Sequence, residues 1–246
     1  MREGLILAFQ FFSRIPINKK VEFNEENIRY SLIFYPLIGG LIGILSGLVY
    51  YHLLTMNTSI ASLGALFTMI YLTGGIHIDG LSDTFDGFLS ANDKERTLEI
   101  MKDSRIGTFG VISIVMLLLS KYVVISSFAS RLPLALILSM INSRVVLIRI
   151  ISTKKVARQN GLGDIFKKSN PGKLVLYCWT QYIVILLLLD IIYIIPFIIT
   201  IIFGEILSVW SYKKVGGMTG DTYGALVEIG ELISLLAYLG VFTWIL

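Results

Sequence analysis

Long apolar segments restrict what this chain can fold into. Seven of them occupy 32–54, 58–76, 108–128, 132–151, 174–190, 194–212 and 225–246. Each is near the roughly 20 residues that a helix needs to cross the hydrocarbon core of a bilayer. The chain is 55% hydrophobic and 15% charged, which is less charge than a soluble domain carries. We predict an all-α, polytopic integral membrane helical bundle of about seven transmembrane helices. It forms a single domain over 1–246 with the lipid bilayer as its partner.

The apolar run 174–212 is divided here into two spans. It is too long for one span of about 20 residues. Asp190 and Pro196 lie near its middle, and both residue types are unfavourable inside a helix. We therefore predict a turn near these two residues, with one span on each side of it.

The basic residues are distributed unevenly among the connecting segments. Seventeen of the 21 Lys and Arg residues fall in 1–30, 77–107, 152–173 and 213–224, whereas the intervening connections contain only Arg131. Segments rich in Lys and Arg stay on the cytoplasmic side of a membrane. We predict a multi-pass protein of the cell membrane with a cytoplasmic N-terminus. We expect its leader, 1–30, to be cytoplasmic or interfacial, with a helix along the headgroups near residues 4–17.

An acidic motif follows the second apolar segment, in a region expected to be a cytoplasmic loop over 77–107. Asp79, Asp83 and Asp86 are spaced i, i+4 and i+7, so on a helix they project from one face. Carboxylates gathered in this way repel one another unless a cation joins them. Mg²⁺ prefers oxygen ligands and brings phosphate with it. The spacing favours a Mg²⁺ site for a diphosphate, with a structural cation site or an acidic surface as the alternatives.

Several neighbours of this motif are candidates for the same chemistry. Asp103 suits a fourth metal ligand or a general base, and Arg105 suits a phosphate ligand or a positively charged membrane anchor. His77 suits a ligand, a base or a satisfied polar residue. Gly80 and Gly87 lack side chains, so a substrate can approach their backbone closely.

Charges within the spans point to an internal cavity or to ion pairs, because an unpaired charge in a membrane costs about 3 kcal/mol or more. Arg144 either pairs with Glu205 or lines a cavity and binds substrate phosphate. Lys121 lies near the middle of its span and is expected to face a cavity. Asp221 and Glu228 are spaced i and i+7, and both are expected to face the same cavity.

Two glycine pairs precede an aspartate with the same spacing. Gly74-Gly75-x-x-x-Asp79 recurs as Gly216-Gly217-x-x-x-Asp221. Glycines of this kind close helix ends, and their free N–H groups also suit phosphate. The repeat has two possible explanations: it is a relic of an internal duplication, or two helices of the chain simply end in the same way.

Three motifs carry a resemblance to a known family. Gly-Gly-x-His-x-Asp-Gly-Leu-x-Asp-Thr-x-Asp-Gly at 74–87, Glu-Ile-Met-Lys-Asp-Ser-Arg-Ile-Gly at 99–107 and Gly-Asp-Thr-Tyr-Gly-Ala at 220–225 resemble the cobalamin synthase family, also called adenosylcobinamide-GDP ribazoletransferase. The resemblance implies an enzyme that joins adenosylcobinamide-GDP to α-ribazole or its 5′-phosphate and releases GMP. It also implies a requirement for Mg²⁺, which we place on Asp79, Asp83 and Asp86. Nucleic acid is not an expected partner, and an oligomer is compatible with the sequence.

Two other functions share some of these features. A CDP-alcohol phosphotransferase of phospholipid synthesis also has acids at the cytoplasmic end of a span, but its Ala-Arg after the first acids and its later spaced aspartates are missing here. A cation-coupled transporter would need its acids nearer the middle of the membrane, at discontinuous helices. Both remain as alternatives at this stage.

Overall fold

The computed structural model describes residues 1–128, 131–159 and 161–244. Within these ranges the chain forms eleven α-helices, and no residue there belongs to a β-strand beyond one isolated bridge. The helices are α1 (Arg2–Phe12), α2 (Glu25–Leu53), α3 (Thr58–Thr73), α4 (Ile76–Ser90), α5 (Lys94–Ile100), α6 (Thr108–Ser126), α7 (Leu132–Thr153), α8 (Leu162–Lys168), α9 (Gly172–Leu189), α10 (Ile194–Val215) and α11 (Gly220–Trp244). The predicted all-α class is confirmed.

Six helices are long and apolar enough to cross a membrane, and α3 with α4 passes the same test as a pair bent by 88°. The six are α2, α6, α7, α9, α10 and α11. The span that contains α10 also includes the 3-10 turn Ile191–Tyr193 before it. Six or seven spans agree with the predicted number of about seven. The side of the membrane on which the N-terminus lies stays a prediction.

The segment 77–107 is not the loop that the sequence led us to expect. Most of its first half is α4, and α5 follows after a short break. Gly74 and Gly75 have φ angles of 70° and 72°, a left-handed conformation that glycine adopts without steric cost. Two such residues in succession end α3 and turn the chain sharply into α4. Because the acids of the motif are therefore on a helix, their spacing on one face is real.

The division of the long apolar run is confirmed. α9 ends at Leu189, and Asp190 caps the following 3-10 turn by accepting a hydrogen bond from the Ile192 N–H at 3.0 Å. Pro196 lies inside the first turn of α10 rather than in the connection, where its missing N–H costs nothing.

A helix is also present near the N-terminus, at Arg2–Phe12 where the sequence predicted one over residues 4–17. Its position along the headgroups stays a prediction. α1 packs closely on α2, since a methyl group built on Gly4 would lie 2.3 Å from the Cβ of Tyr30. α2 begins at Glu25, where Asn24 accepts a hydrogen bond from the Asn27 N–H at 2.9 Å. The helix α2 thus begins within the predicted leader, 1–30, because the N-cap side chain of Asn24 starts it there.

The first turns of α4 and α11 cross at two glycines. A methyl group on Gly80 would lie 2.9 Å from the carbonyl oxygen of Asp221, and one on Gly224 would lie 3.0 Å from the carbonyl oxygen of His77. Only glycine permits such a close approach of two backbones. This crossing brings the N-terminal ends of two helices, with the residues they carry, to the same place.

Candidate active site

A cavity of about 320 Å³ lies beside this crossing. Its polar residues come from the first turns of α4 and α11, and its apolar residues come mainly from α1, α7 and α8. It is lined by Phe11, Phe12, Tyr35, Ile76, His77, Asp79, Gly80, Leu147, Ile151, Leu162, Phe166, Gly220, Asp221, Tyr223 and Gly224. Since the N-terminal end of a helix carries partial positive charge, two of them together suit an anionic ligand.

His77 is a buried residue on the wall of this cavity. Its Nε2 is 2.5 Å from the hydroxyl oxygen of Tyr35, and its Nδ1 is buried with no hydrogen-bond partner among the described residues. The guanidinium of Arg144 lies 5.5 Å from the centre of the Tyr35 ring. Since each imidazole nitrogen either donates or accepts, the orphaned Nδ1 is the atom that a ligand in the cavity would satisfy.

Two of the predicted acids and a third from another helix surround the same region. Asp79 is exposed and lines the cavity, as does Asp221, while Asp83 is partly buried one turn after Asp79. Asp83 experiences the negative charges of Asp79, Asp221 and Asp86. The repeat seen in the sequence therefore has a spatial counterpart, because its two aspartates, Asp79 and Asp221, meet at one cavity.

Arg158 is a basic residue that contacts Asp221 of this site. Its Nη2 is 3.3 Å from Oδ2 of Asp221, and its Nη1 is buried without a partner among the described residues. The segment that carries it is held by two backbone hydrogen bonds, from Ala157 N–H to the Met218 carbonyl at 2.8 Å and from Met218 N–H to the Lys155 carbonyl at 2.9 Å. These bonds fasten the basic loop to the glycine-rich segment before α11.

Asp86 has a different environment from the other acids. It is buried, and its two carboxylate oxygens accept hydrogen bonds from the backbone N–H groups of Gly107 at 2.7 Å and Gly110 at 2.8 Å. It therefore caps the N-terminus of α6, where a negative charge is favourable. The predicted role of Asp86 as a metal ligand does not fit this arrangement, since both oxygens already serve the start of another helix.

The site has fewer protein ligands than a closed metal cage. Within 1–128, 131–159 and 161–244, no three histidine, cysteine or acidic side chains stand close enough together to hold a metal ion. Mg²⁺ commonly uses one or two carboxylates and completes its shell with water and substrate phosphates. Asp79 and Asp83, which are successive on one face of α4, fit that requirement, whereas a set of three protein ligands does not.

Asp103 and Arg105 bind each other instead of lining the cavity. The guanidinium donates to both oxygens of Asp103, from Nε at 3.0 Å and from Nη2 at 2.6 Å, and the Arg105 side chain is 86% exposed. The hydrogen bonds from Arg105 lower the pKa of Asp103 to about 2. Both oxygens of Asp103 are thus bound by Arg105, and Asp103 does not line the cavity, which argues against the predicted role as a general base.

Gly80 and Gly87 serve helix packing. The space that a side chain on Gly80 would need is filled by α11, as described above. A methyl group on Gly87 would lie 2.5 Å from Cγ of Met101 and 3.1 Å from the carbonyl oxygen of Thr97. Gly80 still lines the cavity. Gly87 does not, because it packs against the α5 segment, and this argues against the predicted contact of substrate with Gly87.

The predicted pair between Arg144 and Glu205 is wrong. Arg144 is fully buried and donates from Nη1 to Glu231, which also accepts from Lys121 at 2.6 Å. Lys121 is 2.5 Å from Glu228 as well. These four residues form a buried cluster with two charges of each sign, and none of them lines the 320 Å³ cavity.

Glu205 has other partners, and Arg144 acts indirectly. Glu205 binds Arg149 and also lies 2.5 Å from Lys154. The side chains of Arg149 and Glu205 are each 33% exposed. Arg144 thus neutralises buried acid and packs behind Tyr35, rather than binding substrate as the sequence suggested. The helix rotations that decide such partners are not encoded in local spacing.

Residues 4–239 match the family described as cobalamin-5-phosphate synthase. Curated proteins named adenosylcobinamide-GDP ribazoletransferase are similar along nearly their whole length. That of Treponema denticola is 39% identical over 254 residues, which cover 94% of this chain and 95% of that protein. That of Clostridium botulinum strain Langeland is 39% identical over 241 residues, covering 95% and 96%. That of Clostridioides difficile is 36% identical over 244 residues, covering 94% and 95%.

The chain belongs to the cobalamin-5-phosphate synthase family. The resemblance carried by its three motifs is thereby confirmed. No solved structure matches it significantly.

Several residues at the site of this member of the cobalamin-5-phosphate synthase family were not identified as functional from the sequence. They are Tyr35, Arg158, Phe166 and Tyr223. Tyr35 lies within an apolar segment and Phe166 lies beside Lys167 in the basic segment, so no local pattern marks either residue as part of a site. Tyr223 occurs in the motif at 220–225 that resembles the family, and Arg158 lies in the basic segment 152–173; these were the available signals.

Proposed function

We propose that this protein is a Mg²⁺-dependent adenosylcobinamide-GDP ribazoletransferase. It joins adenosylcobinamide-GDP to α-ribazole, or to α-ribazole 5′-phosphate, and yields adenosylcobalamin or its 5′-phosphate with GMP. The 3′-hydroxyl oxygen of the ribazole bonds to the phosphorus nearer cobinamide, and the bond from that phosphorus to the GMP oxygen breaks. Family membership supports this reaction over the phospholipid-synthesis and transporter alternatives.

The observation that carries the proposal is the cavity at the crossing of α4 and α11. It combines two helix N-termini, the carboxylates of Asp79 and Asp221, and a buried imidazole nitrogen of His77 without a partner. Phosphoryl transfer depends on positioning and on stabilising charge around the phosphorus. This combination of groups suits that task and has no evident use in packing alone.

Asp79 and Asp83 are the residues that we propose to hold Mg²⁺. Bound there with diphosphate oxygens, the ion would supply charge neutralisation for the departing phosphate. Asp221 adds negative charge next to this pair and orients Arg158. The unpartnered Nη1 of Arg158 suits a phosphate oxygen, in the role that the sequence had suggested for Arg105.

His77 is the proposed acceptor of the hydroxyl proton. For Nδ1 to accept that proton, Nε2 must carry the other and donate it to the Tyr35 oxygen, 2.5 Å away. The hydrogen bond made by one ring nitrogen selects the state of the other. Tyr35 therefore holds the imidazole in the orientation and tautomer that the transfer requires.

The location of the site agrees with the charge pattern of the sequence. Arg158 belongs to the basic segment 152–173, and the acidic motif lies beside the basic residues of 94–105. By the distribution of Lys and Arg, we propose that the cavity faces the cytoplasm, where nucleotide substrates are found.

The test is release of GMP by the purified protein in lipid nanodiscs, given adenosylcobinamide-GDP and α-ribazole with and without Mg²⁺. Asp83→Asn keeps the size of the side chain and removes its charge, and it should abolish release while leaving the protein folded. Glu99→Gln is the matched control, because the Glu99 side chain is 65% exposed and binds Arg96 on the same short helix. Normal turnover by Asp83→Asn would remove that residue from the site. CMP release from a CDP-alcohol, or solute uptake without turnover, would support the alternatives.

A further inference from the structure

The cavity has two unlike walls. One carries the polar groups of α4 and α11 described above. The other is aromatic: Phe11 and Phe12 of α1 stand against Phe166 of α8, with ring centres 5.9 Å and 6.1 Å from that ring. Phe12 is also stacked on Tyr35, with 3.7 Å between the ring centres. A ligand that fills the cavity must therefore have a polar part and a flat apolar part.

The three phenylalanines of this wall offer no side-chain hydrogen bonds, whereas Tyr35 and Tyr223, which also line the cavity, each carry a hydroxyl group. Apart from the three phenylalanines the wall consists of Leu147, Ile151 and Leu162. A guanine base has donors and acceptors around its edge, and burying them here without partners would be costly. Benzimidazole, the base of α-ribazole, presents a mostly hydrocarbon edge. It therefore loses few hydrogen bonds by entering such surroundings. The wall discriminates between the two bases of the proposed reaction.

The volume of the cavity points to the same ligand. About 320 Å³ is near the lower end of the roughly 300–1,000 Å³ of small-molecule pockets. A single nucleoside fits this space, whereas a corrin ring with its side chains does not. The corrinoid must then lie outside the cavity, with only its diphosphate reaching the acids.

We propose that the wall formed by Phe11, Phe12 and Phe166 binds the benzimidazole base of α-ribazole. This inference rests on the proposed function. It places the ribose of the same molecule toward His77 and Asp79, which line the opposite side. The attacking hydroxyl and its proton acceptor are thus brought together by apolar contact with the far end of the nucleoside.

The kinetic test uses Phe166→Leu and Phe11→Leu, which keep an apolar side chain and remove the ring. Loss of one stacking partner should raise the KM for α-ribazole about tenfold, with the KM for adenosylcobinamide-GDP unchanged. Phe67→Leu is the matched control, because Phe67 is 67% exposed on α3 and lies outside the cavity. A rise in the KM for adenosylcobinamide-GDP instead, or no change in either KM, would overturn the inference.

Binding of α-ribazole alone separates this inference from the proposed function. Equilibrium dialysis of the full chain in nanodiscs should give a Kd that is about tenfold higher for Phe166→Leu than for the unaltered protein. Guanosine should not displace the bound α-ribazole. If α-ribazole binds in this way and no GMP is released on adding the second substrate, the proposed function fails and the subsite stands. If the unaltered protein does not bind α-ribazole, or guanosine displaces it, the subsite is refuted.

Discussion

The buried cluster of Lys121, Arg144, Glu228 and Glu231 makes a quantitative prediction about stability. Its four charges sum to zero, and all four side chains are at least 95% buried. Arg144→Met removes one positive charge and leaves an excess of acid, while Glu231→Gln leaves an excess of base. We expect each single change to destabilise the protein strongly, because each leaves an uncompensated charge inside the bundle.

The size of the effect follows from this burial. Removing one partner of a buried ion pair costs about 3–5 kcal/mol. If Arg144 and Glu231 acted independently, the double variant would lose the sum of both. It instead retains the neutral pair of Lys121 and Glu228, 2.5 Å apart. We therefore expect the double variant to be no less stable than either single variant, with a coupling energy of about 3–5 kcal/mol.

Thermal unfolding of the purified protein in one detergent measures these losses. For a chain of this size the midpoint of unfolding falls by about 2–4 °C per kcal/mol. The midpoint of each single variant should therefore be roughly 10 °C lower than that of the unaltered protein. The matched control is the pair Arg96→Met and Glu99→Gln, whose side chains are 66% and 65% exposed. Exposed pairs contribute about 0.2–1 kcal/mol, so these variants should shift the transition by no more than a few degrees.

Additive losses in the double variant would refute the reasoning, because additivity means that the two groups do not interact. Equal losses at the buried pair and at the control pair would also refute it. That result would show that burial does not set the strength of these contacts.

Two further predictions concern residues around the site. Gly80→Ala should lower the free energy of unfolding by about 1–3 kcal/mol, since its methyl group would meet the backbone of Asp221 at 2.9 Å. Thermal unfolding measures this loss. An unchanged transition temperature would mean that α4 and α11 do not cross at Gly80. Asp103→Asn and Arg105→Gln should each change kcat/KM for GMP release by less than about fivefold, because exposed ion pairs contribute at most about 1 kcal/mol. A loss of a hundredfold in either variant would return that pair to the reacting groups.

The helices were largely predictable because their causes are local. Apolar segments of membrane-spanning length, the Asn24 cap, the left-handed glycines and the turn at Asp190 each act within a few residues of the chain. The acidic motif was recognisable for the same reason. The exception was 77–107, where the charged composition suggested a loop, whereas packing against α11 holds most of the first half as the helix α4.

The partners of the charged residues came only from the tertiary structure. Arg144 and Glu231 are 87 residues apart in sequence, and Asp86 meets the start of α6 through backbone groups that no side-chain pattern reveals. The sequence by itself determined that this chain forms apolar helices of membrane-spanning length, roughly where most of them lie along the chain, and which family it resembles. Only packing decided which acids face the cavity and which are neutralised, because the rotation of each helix about its axis depends on all of its neighbours at once.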